Sequence, residues 1–117
     1  MNTSMPQKIN TLLTQYLSEV QKIYGTHLKS AILYGSYARG DYTAESDVDI
    51  MLLVDLSVEE MDAYSDALSE LGYEYNVNED IWIMPVVKNF QHFNQWVMAY
   101  PFYYNVQKEG VVLYETA

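Results

Sequence analysis

The residues of this chain that are best suited to chemistry are two aspartates, Asp47 and Asp49, at the start of an apolar run. The run covers residues 50–54 and predicts a buried strand. On a strand, residues i and i+2 point to the same face with Cα atoms roughly 6.5 Å apart, so the two carboxylates should converge. Converging carboxylates at the edge of a core repel each other unless a cation lies between them. Their oxygens suit Mg²⁺, which also takes substrate phosphates as ligands.

A second feature, the Gly35-Ser36 pair, directly follows the apolar run of residues 31–34. Glycine lets the backbone approach a ligand closely, and Ser36 can begin a helical turn whose N–H groups and hydroxyl bind phosphate oxygens. A glycine-serine pair alone usually marks only a turn, and a pair of aspartates alone is usually solvated. Together, with ten residues between Ser36 and Asp47, they predict a phosphate cradle and a metal anchor on neighbouring strand ends. That arrangement would hold a magnesium nucleotide.

The strings GSYARG and SDVDI, at residues 35–40 and 46–50, resemble the signature of the nucleotidyltransferase superfamily with the DNA polymerase β type fold. They are similar to its minimal branch, the MNT proteins, which are the antitoxin halves of HEPN/MNT toxin-antitoxin pairs. The motif is specific, and the resemblance extends more weakly over nearly the whole chain. We therefore expect an α/β fold, a small mixed β-sheet with flanking helices, and a site at the ends of the first three strands.

The resemblance also implies a third carboxylate, because an aspartate opens the third strand in the MNT family. Asp80 matches that place at the start of a strand predicted for residues 80–87. In two-metal phosphoryl transfer such an acid holds the second metal or accepts the proton of an attacking hydroxyl. Glu79 is adjacent, and a solvated loop acid is the alternative interpretation. We expect Asp47, Asp49 and Asp80 to be the catalytic residues and the ligands of Mg²⁺, with two ions bound.

Arg39, the only arginine, lies between the two halves of the motif. Its guanidinium can contact a nucleotide phosphate or a partner, or it can form a structural ion pair with Asp41 or Glu45. An arginine fork binds either kind of oxyanion equally well, so both interpretations stay open. We group Arg39 with Gly35 and Ser36 as candidate nucleotide-binding residues.

Composition limits the classes of protein to which the chain can belong. Its 117 residues suit one domain spanning residues 1–117, and half of them are apolar, as in a globular fold. No cysteine is present, which excludes a disulfide framework and thiolate metal sites. A formal net charge of −10 argues against direct binding of nucleic acid. No apolar run reaches the roughly 20 residues of a membrane span, so we expect a cytoplasmic protein without membrane contact.

The remaining pattern predicts the elements that position these residues. Apolar residues at helical spacing from Ile9 predict a helix that a capping box at Ser4 opens and Gly25 ends. A second capping box, at Ser57, predicts a helix that ends at Gly72. Strands are expected at residues 29–34, 47–54, 80–87 and 111–114, a helical turn at 37–39, and helices at 89–98 and 101–109. Six aromatic residues near the C-terminus are expected mainly in the core, with any exposed part suited to a partner: Phe93, Trp96, Tyr100, Phe102, Tyr103 and Tyr104.

The resemblance implies a function for this site. AMP would be transferred from ATP, with Mg²⁺ as the cofactor, to a protein hydroxyl, namely a tyrosine of a cognate HEPN ribonuclease toxin. The chain would act as the antitoxin in a complex with that toxin, and its acidic surface would complement a basic partner. Two alternatives stay open. One is AMP transfer to a small-molecule hydroxyl such as that of an aminoglycoside, and the other is a non-catalytic module that neutralises the toxin by binding.

Overall fold

A computed structural model describes residues 5–116 of the chain. In chain order its elements are α1 (Gln7–Tyr24), a 3-10 turn (Gly25–His27), β1 (Leu28–Tyr34), α2 (Ser36–Arg39), β2 (Val48–Val54), α3 (Val58–Met61), a second 3-10 turn (Asp62–Tyr64), α4 (Ser65–Glu79), β3 (Ile83–Asn89), α5 (Phe90–Trp96), α6 (Pro101–Glu109) and β4 (Val111–Glu115). Within these residues, four strands form one sheet in the order β3-β2-β1-β4. β1 pairs antiparallel with β2 and β4, whereas β2 and β3 are parallel. The predicted α/β fold with a small mixed sheet and flanking helices is confirmed.

Helices cover both faces of the sheet because side chains alternate along each strand. In β2, Val48, Ile50 and Leu52 belong to a core cluster that also contains residues of α1 and α4. Met51 and Leu53 belong to a second cluster, which α5 and α6 complete. Both faces of this strand are therefore buried, and a charged side chain is tolerated only near its ends.

The N-terminal helix α1 packs on the sheet through the predicted apolar stripe. Tyr16 and Val20 are fully buried within the larger core cluster. Gly25 ends the helix, as predicted, with φ of 59°. Pro6 occupies the N-cap position, and the predicted capping residue Ser4 lies outside the described residues. The helix therefore contributes packing to the fold, as its pattern predicts.

The structure divides the single helix predicted from Ser57 to Gly72. The second 3-10 turn (Asp62–Tyr64) separates α3 from α4, and α4 continues past the predicted end at Gly72 to Glu79. Packing stabilises the extension, because the Tyr75 ring meets Tyr16 of α1 edge-on with ring centroids 5.5 Å apart. A glycine inside a helix costs only about 1 kcal/mol relative to alanine, and tertiary packing routinely overrides a preference of that size.

The longer helix moves the start of β3. Asp80, which is predicted to open the strand, instead ends α4 in a left-handed conformation with φ of 54°. Its N–H donates to the Asn76 carbonyl at 3.1 Å. Aspartate is one of the few residues that adopt this conformation at low cost, because its short polar side chain can hydrogen-bond locally. The strand begins at Ile83, so Asp80 is a helix-terminal residue and not the first residue of a strand.

The other predicted elements agree with the structure to within one or two residues. Ser57 and Glu60 form the predicted capping box, with reciprocal hydrogen bonds of 2.8 and 3.1 Å. The C-terminal aromatic cluster divides into two parts. Phe93 and Tyr103 are buried, as predicted, whereas four rings remain partly exposed: Trp96, Tyr100, Phe102 and Tyr104. Among the described helices, none combines the length and the apolar character needed to cross a membrane.

The position of Gly72 inside α4 generates a stability prediction. A Cβ at this position would meet no atom within 4 Å, and the backbone is helical. Gly72→Ala should therefore raise the free energy of unfolding by roughly 0.5–1 kcal/mol. Gly25→Ala is the matched control, because its Cβ also meets nothing within 4 Å but φ is +59°, so this variant should be less stable. Urea unfolding followed by circular dichroism measures both, and destabilisation by Gly72→Ala would contradict the extended helix.

Candidate active site

The candidate site lies where three strand ends meet at one edge of the sheet. Tyr34, the last residue of β1, pairs with Asp49 of β2, and Asp49 pairs on its other side with Met84 of β3. Asp47 directly precedes β2, and Gly35 directly follows β1. Because β1 is antiparallel to β2 and β3 is parallel to it, the end of β1 and the starts of β2 and β3 share this edge. The predicted turn and the predicted carboxylate pair are thereby brought together.

Gly35 forms the contact that fixes the site. Its φ is 75°, a conformation that other residues rarely adopt, and a Cβ there would overlap Oδ2 of Asp49. Only glycine therefore lets the carboxylate lie against the backbone of the turn. The Gly35 carbonyl accepts hydrogen bonds from Ala38 N (3.1 Å) and Arg39 N (3.0 Å), which open the short helix α2. Ser36 precedes these donors and lies in the first turn, where helix N–H groups have no intrahelical partner.

The loop between α2 and β2, which leads to Asp47, is held by hydrogen bonds between its own residues. Ser46 Oγ accepts a hydrogen bond from Thr43 N at 2.8 Å, and Ser46 N donates to the Thr43 carbonyl at 3.1 Å. The Tyr42 ring stacks on Tyr37 of α2, with centroids 4.5 Å apart and planes 9° apart. Ser46 therefore closes the loop directly before Asp47.

The charge of Asp49 is only partly balanced by the protein. Asp49 is partly buried and Asp47 is exposed. Burial raises the pKa of Asp49, the charge of Asp47 raises it further, and Arg39 opposes both effects. Burial, and then the charge of Asp49, also raise the pKa of the Tyr34 hydroxyl. A bound cation would lower the free energy of the ionised carboxylate pair.

At the opposite end of β2, the negative charge of Asp55 is balanced by neighbouring side chains, unlike that of Asp49. Asp55 follows the strand and contacts His27 (Nδ1 to Oδ1, 2.7 Å) and Lys29 (Nζ to Oδ2, 3.4 Å). The hydrogen bond from His27 and the charge of Lys29 lower the pKa of Asp55. The pKa shifts at the two ends of one strand therefore have opposite signs. A carboxylate whose surroundings disfavour its ionised form, as at Asp49, is typical of a functional site.

Arg39 forms two ion pairs at the margin of the site. Its Nε lies 3.2 Å from Asp41 Oδ2, and its Nη1 lies 3.1 Å from Glu109 Oε1 at the end of α6. The structural ion pair considered for Asp41 is thus present, and Glu109 takes the place considered for Glu45. The guanidinium still lies close enough to lower the pKa of Asp49. Glu109 carries no signal in the sequence, because 70 positions separate it from Arg39.

The structure does not bring Asp80 together with Asp47 and Asp49. Among residues 5–116, no three acidic, histidine or cysteine side chains lie close enough to hold one metal ion. The strand β3 carries no acid, and the residue beside Asp49 is Met84. The two aspartates at the start of β2 suit one Mg²⁺, which commonly binds through one or two carboxylates. Binding of a second ion by Asp80 stays a prediction.

Apolar residues that carry no chemical signal in the sequence also border the site. The Tyr34 ring meets Phe102 of α6 edge-on, with centroids 5.6 Å apart. The Trp82 carbonyl accepts a hydrogen bond from Val48 N at 2.8 Å, and the Trp82 side chain is exposed. The sequence could have identified Tyr34 as a residue of the site, because it directly precedes Gly35. Trp82 and Phe102 are placed only by the strand register and the helix packing.

Known proteins are similar to this chain in sequence. A family model described as a nucleotidyltransferase domain matches residues 13–103. A protein of Methanocaldococcus jannaschii, provisionally named protein adenylyltransferase MJ0604, is 35% identical over 87% of this chain and 94% of its own length. A second protein of that organism, provisionally named protein adenylyltransferase MJ0141, is 33% identical over 68% of this chain and 79% of its own length.

Solved structures share the fold. The crystal structure of a toxin-antitoxin with AMP-PNP matches with a TM-score of 0.53 at 19% identity. A variant of the toxin-antitoxin MntA-HpeT matches with a TM-score of 0.52 at 18% identity. Each match covers 87% of this chain and 73% of the other chain. At these identities the likeness establishes the fold alone.

The charges around Asp49 predict opposite responses to two substitutions. Asp47→Asn removes a neighbouring negative charge and should lower the pKa of Asp49, whereas Arg39→Gln removes a positive charge and should raise it. NMR titration of the ¹³C-labelled side-chain carboxyl groups measures this pKa directly. If neither substitution moves the titration of Asp49, the two charges do not act on it.

Asp49 also links stability to pH. An acid whose pKa is higher in the folded than in the unfolded chain binds more protons when folded, so stability falls as the pH rises from the ordinary value of 3.8 through the raised pKa. Asp49→Asn should therefore raise the melting temperature at neutral pH, and its advantage should shrink below pH 3.8. Asp55→Asn is the matched control and should lower the melting temperature at neutral pH, because the pKa of Asp55 is lowered. A fall of melting temperature in both variants at neutral pH would contradict the opposite signs.

Proposed function

The chain belongs to the nucleotidyltransferase domain family, and we propose that it transfers AMP from ATP to a hydroxyl group of a partner protein. The family match covers most of the chain, so the predicted membership of this superfamily is confirmed. The observation that carries the proposed activity is the contact of the Asp49 carboxylate with the Gly35 turn. This contact joins an acidic pair to the start of a helix at one edge of the sheet.

The ATP phosphates are proposed to bind at the turn formed by Gly35 and Ser36. N–H groups at the start of a helix and a serine hydroxyl both suit phosphate oxygens. Asp47 and Asp49 would hold Mg²⁺ at the same edge. When bound, Mg²⁺ neutralises the negative charge that develops on the phosphate oxygens. Arg39 adds a positive charge near the same edge, although its fork is already paired with acids of the chain.

The proposed reaction is a displacement at the α-phosphorus of ATP. The acceptor hydroxyl oxygen forms a bond to this phosphorus, the bond to the pyrophosphate oxygen breaks, and the hydroxyl proton is lost to solvent. Phosphoryl transfer of this kind needs little covalent chemistry from the protein, because the charge is spread over the phosphate oxygens. The contribution of the chain is to hold the reacting groups in line and to balance charge.

The proposed acceptor is a protein, because relatives that match most of this chain are provisionally named protein adenylyltransferases. The fold neighbours are toxin-antitoxin structures, one of them with AMP-PNP, which supports a toxin as the partner and ATP as the nucleotide. The resemblance of the motifs to MNT antitoxins extends the proposal to a tyrosine of a HEPN ribonuclease toxin. The net charge of −10 would complement a basic partner.

A second candidate function is neutralisation of the toxin by binding alone. One observation favours it: β3 places Met84, and not an acid, beside Asp49. The third carboxylate that two-metal transfer uses is therefore not supplied by this strand. The two candidates differ in whether AMP appears on the acceptor.

Substitution of either Asp47 or Asp49 tests the proposed activity. Asp47→Asn and Asp49→Asn should each lower AMP transfer by about 100-fold or more, the effect of losing one group that stabilises charge in the transition state. Glu115→Gln removes an exposed carboxylate of β4 and is the matched control, which should transfer AMP normally. The chain is incubated with ATP, Mg²⁺ and a HEPN toxin or an aminoglycoside, and the intact mass of each acceptor detects added AMP.

Each result of this experiment selects one function. AMP on the toxin, lost in the two aspartate variants, supports the proposal. AMP on the aminoglycoside alone would overturn the protein acceptor. Inhibition of the toxin with no AMP on either acceptor would favour neutralisation by binding.

The substitution Asp80→Asn tests whether AMP transfer needs a third acid in addition to Asp47 and Asp49. Asp80 ends α4, is exposed and, among the described residues, belongs to no group of three potential metal ligands, so in a site with two acids its substitution should change AMP transfer by no more than about twofold. The same mass measurement, taken as a time course, gives the rate. A loss as large as that of Asp49→Asn would return Asp80 to the catalytic residues.

A further inference from the structure

An open apolar groove lies between the helices α3 and α4 and the strand β3, with a volume of about 710 Å³. Leu68 and Ile83 line its buried side. Three large apolar side chains line it and are nevertheless exposed: Val58 by 75%, Tyr73 by 68% and Trp82 by 59%. Exposed apolar side chains gathered around one groove are typical of an interaction surface.

The charged residues on the helices of the groove are all acidic. No lysine or arginine lies between Arg39 and Lys88, a stretch that contains all but three of the acidic residues, the exceptions being Glu19, Glu109 and Glu115. Asp62 lines the groove itself, and Asp66 and Glu70 are exposed on α4. The electrostatic potential along the groove therefore favours a cationic occupant.

The groove runs along the unpaired side of β3, but this side of the strand is a poor template for pairing with another strand. β3 is the outermost strand, and Val48 N of β2 donates to the Trp82 carbonyl. Backbone groups alternate in direction along a strand, so those of Met84 also point to β2 and those of Pro85 point outward. Proline has no N–H to donate. A strand added beside β3 would lack the hydrogen bond that an N–H at Pro85 would donate. A helix would instead pack through its side chains.

The groove reaches the candidate active site through β3. Met84 lines the groove and pairs in register with Asp49. Trp82, which also lines it, is hydrogen-bonded to Val48 at the start of β2. A segment bound in the groove would therefore bring the adjoining part of its protein to the edge that holds the carboxylates.

We propose that the groove binds an amphipathic, cationic α-helix of the acceptor protein. The apolar face of that helix covers Val58, Tyr73 and Trp82, and its lysine or arginine side chains lie among the acids of α3 and α4. This inference rests on the proposed transfer of AMP to a protein, since it assigns the surface through which the acceptor is held.

Binding of synthetic helical peptides to the full chain, without nucleotide, tests the groove. Three peptides of equal length carry a leucine face with a lysine face, a leucine face with a glutamate face, and a serine face with a lysine face. Only the leucine-lysine peptide should bind strongly, and the backbone amide NMR shifts that it changes should lie on α3, α4 and β3. Equal binding of the serine-lysine peptide, or shifts confined to α5 and α6, would overturn the proposal.

Tyr73→Ser provides the matched test of the apolar contact. It should weaken binding of the leucine-lysine peptide by about tenfold, as expected for an aromatic residue in the middle of an interface. Tyr104→Ser is the control, since it removes a partly exposed ring on α6 that does not line the groove, and it should bind the peptide normally. Unchanged affinity in Tyr73→Ser would overturn the assignment of the groove.

The peptide assay contains no ATP, so its outcome is independent of AMP transfer. A chain that transfers AMP to a protein but does not bind the leucine-lysine peptide would overturn the groove assignment alone. A chain that binds this peptide in the groove but transfers no AMP would overturn the proposed function alone.

Discussion

The candidate site depends on the close contact between the Asp49 carboxylate and the backbone of Gly35. The antiparallel pairing of β1 with β2 brings the two together, and the absence of a side chain at Gly35 leaves room for the carboxylate. The same residue also adopts the positive φ that turns the chain into α2. One glycine thus sets both the direction of the turn and the position of the acid beside it.

Apolar packing elsewhere in the sheet stabilises the protein, and the charges of Asp47 and Asp49 are only partly compensated. Both faces of β2 are buried under helices, which supplies the apolar packing. At the far end of β2, Asp55 contacts Lys29 and is hydrogen-bonded to His27, whereas Asp49 shares its end with the like charge of Asp47. The only arginine is divided between Asp41 and another acid of the chain, so it reduces the repulsion without removing it. A divalent cation bound between the two carboxylates would supply the missing counter-charge.

The parts of the structure that could be predicted from the sequence are those that local signals determine. The apolar stripe of α1, the capping box of α3 and the Gly35 turn each depend on residues close together in the chain, and each is found in the structure. The end of α4 could not be predicted in this way, because it depends on the long-range contact of Tyr75 with Tyr16. The error in that helix displaced Asp80 from the start of β3. The place of Met84 beside the carboxylate pair likewise depends on a strand register that no local pattern specifies.

Because β1 pairs with both β2 and β4, its two ladders can form at different times during folding. β1 and β2 are near neighbours in the chain, whereas the pairing of Ala31 with Tyr114 closes a loop that contains most of it. Closing the longer loop costs more conformational entropy, and β4 is synthesised after β1 and β2. The first ladder can therefore form during synthesis, while the second must wait until β4 has been made. The end of the sheet that carries Asp49 can therefore form before β4 joins the sheet.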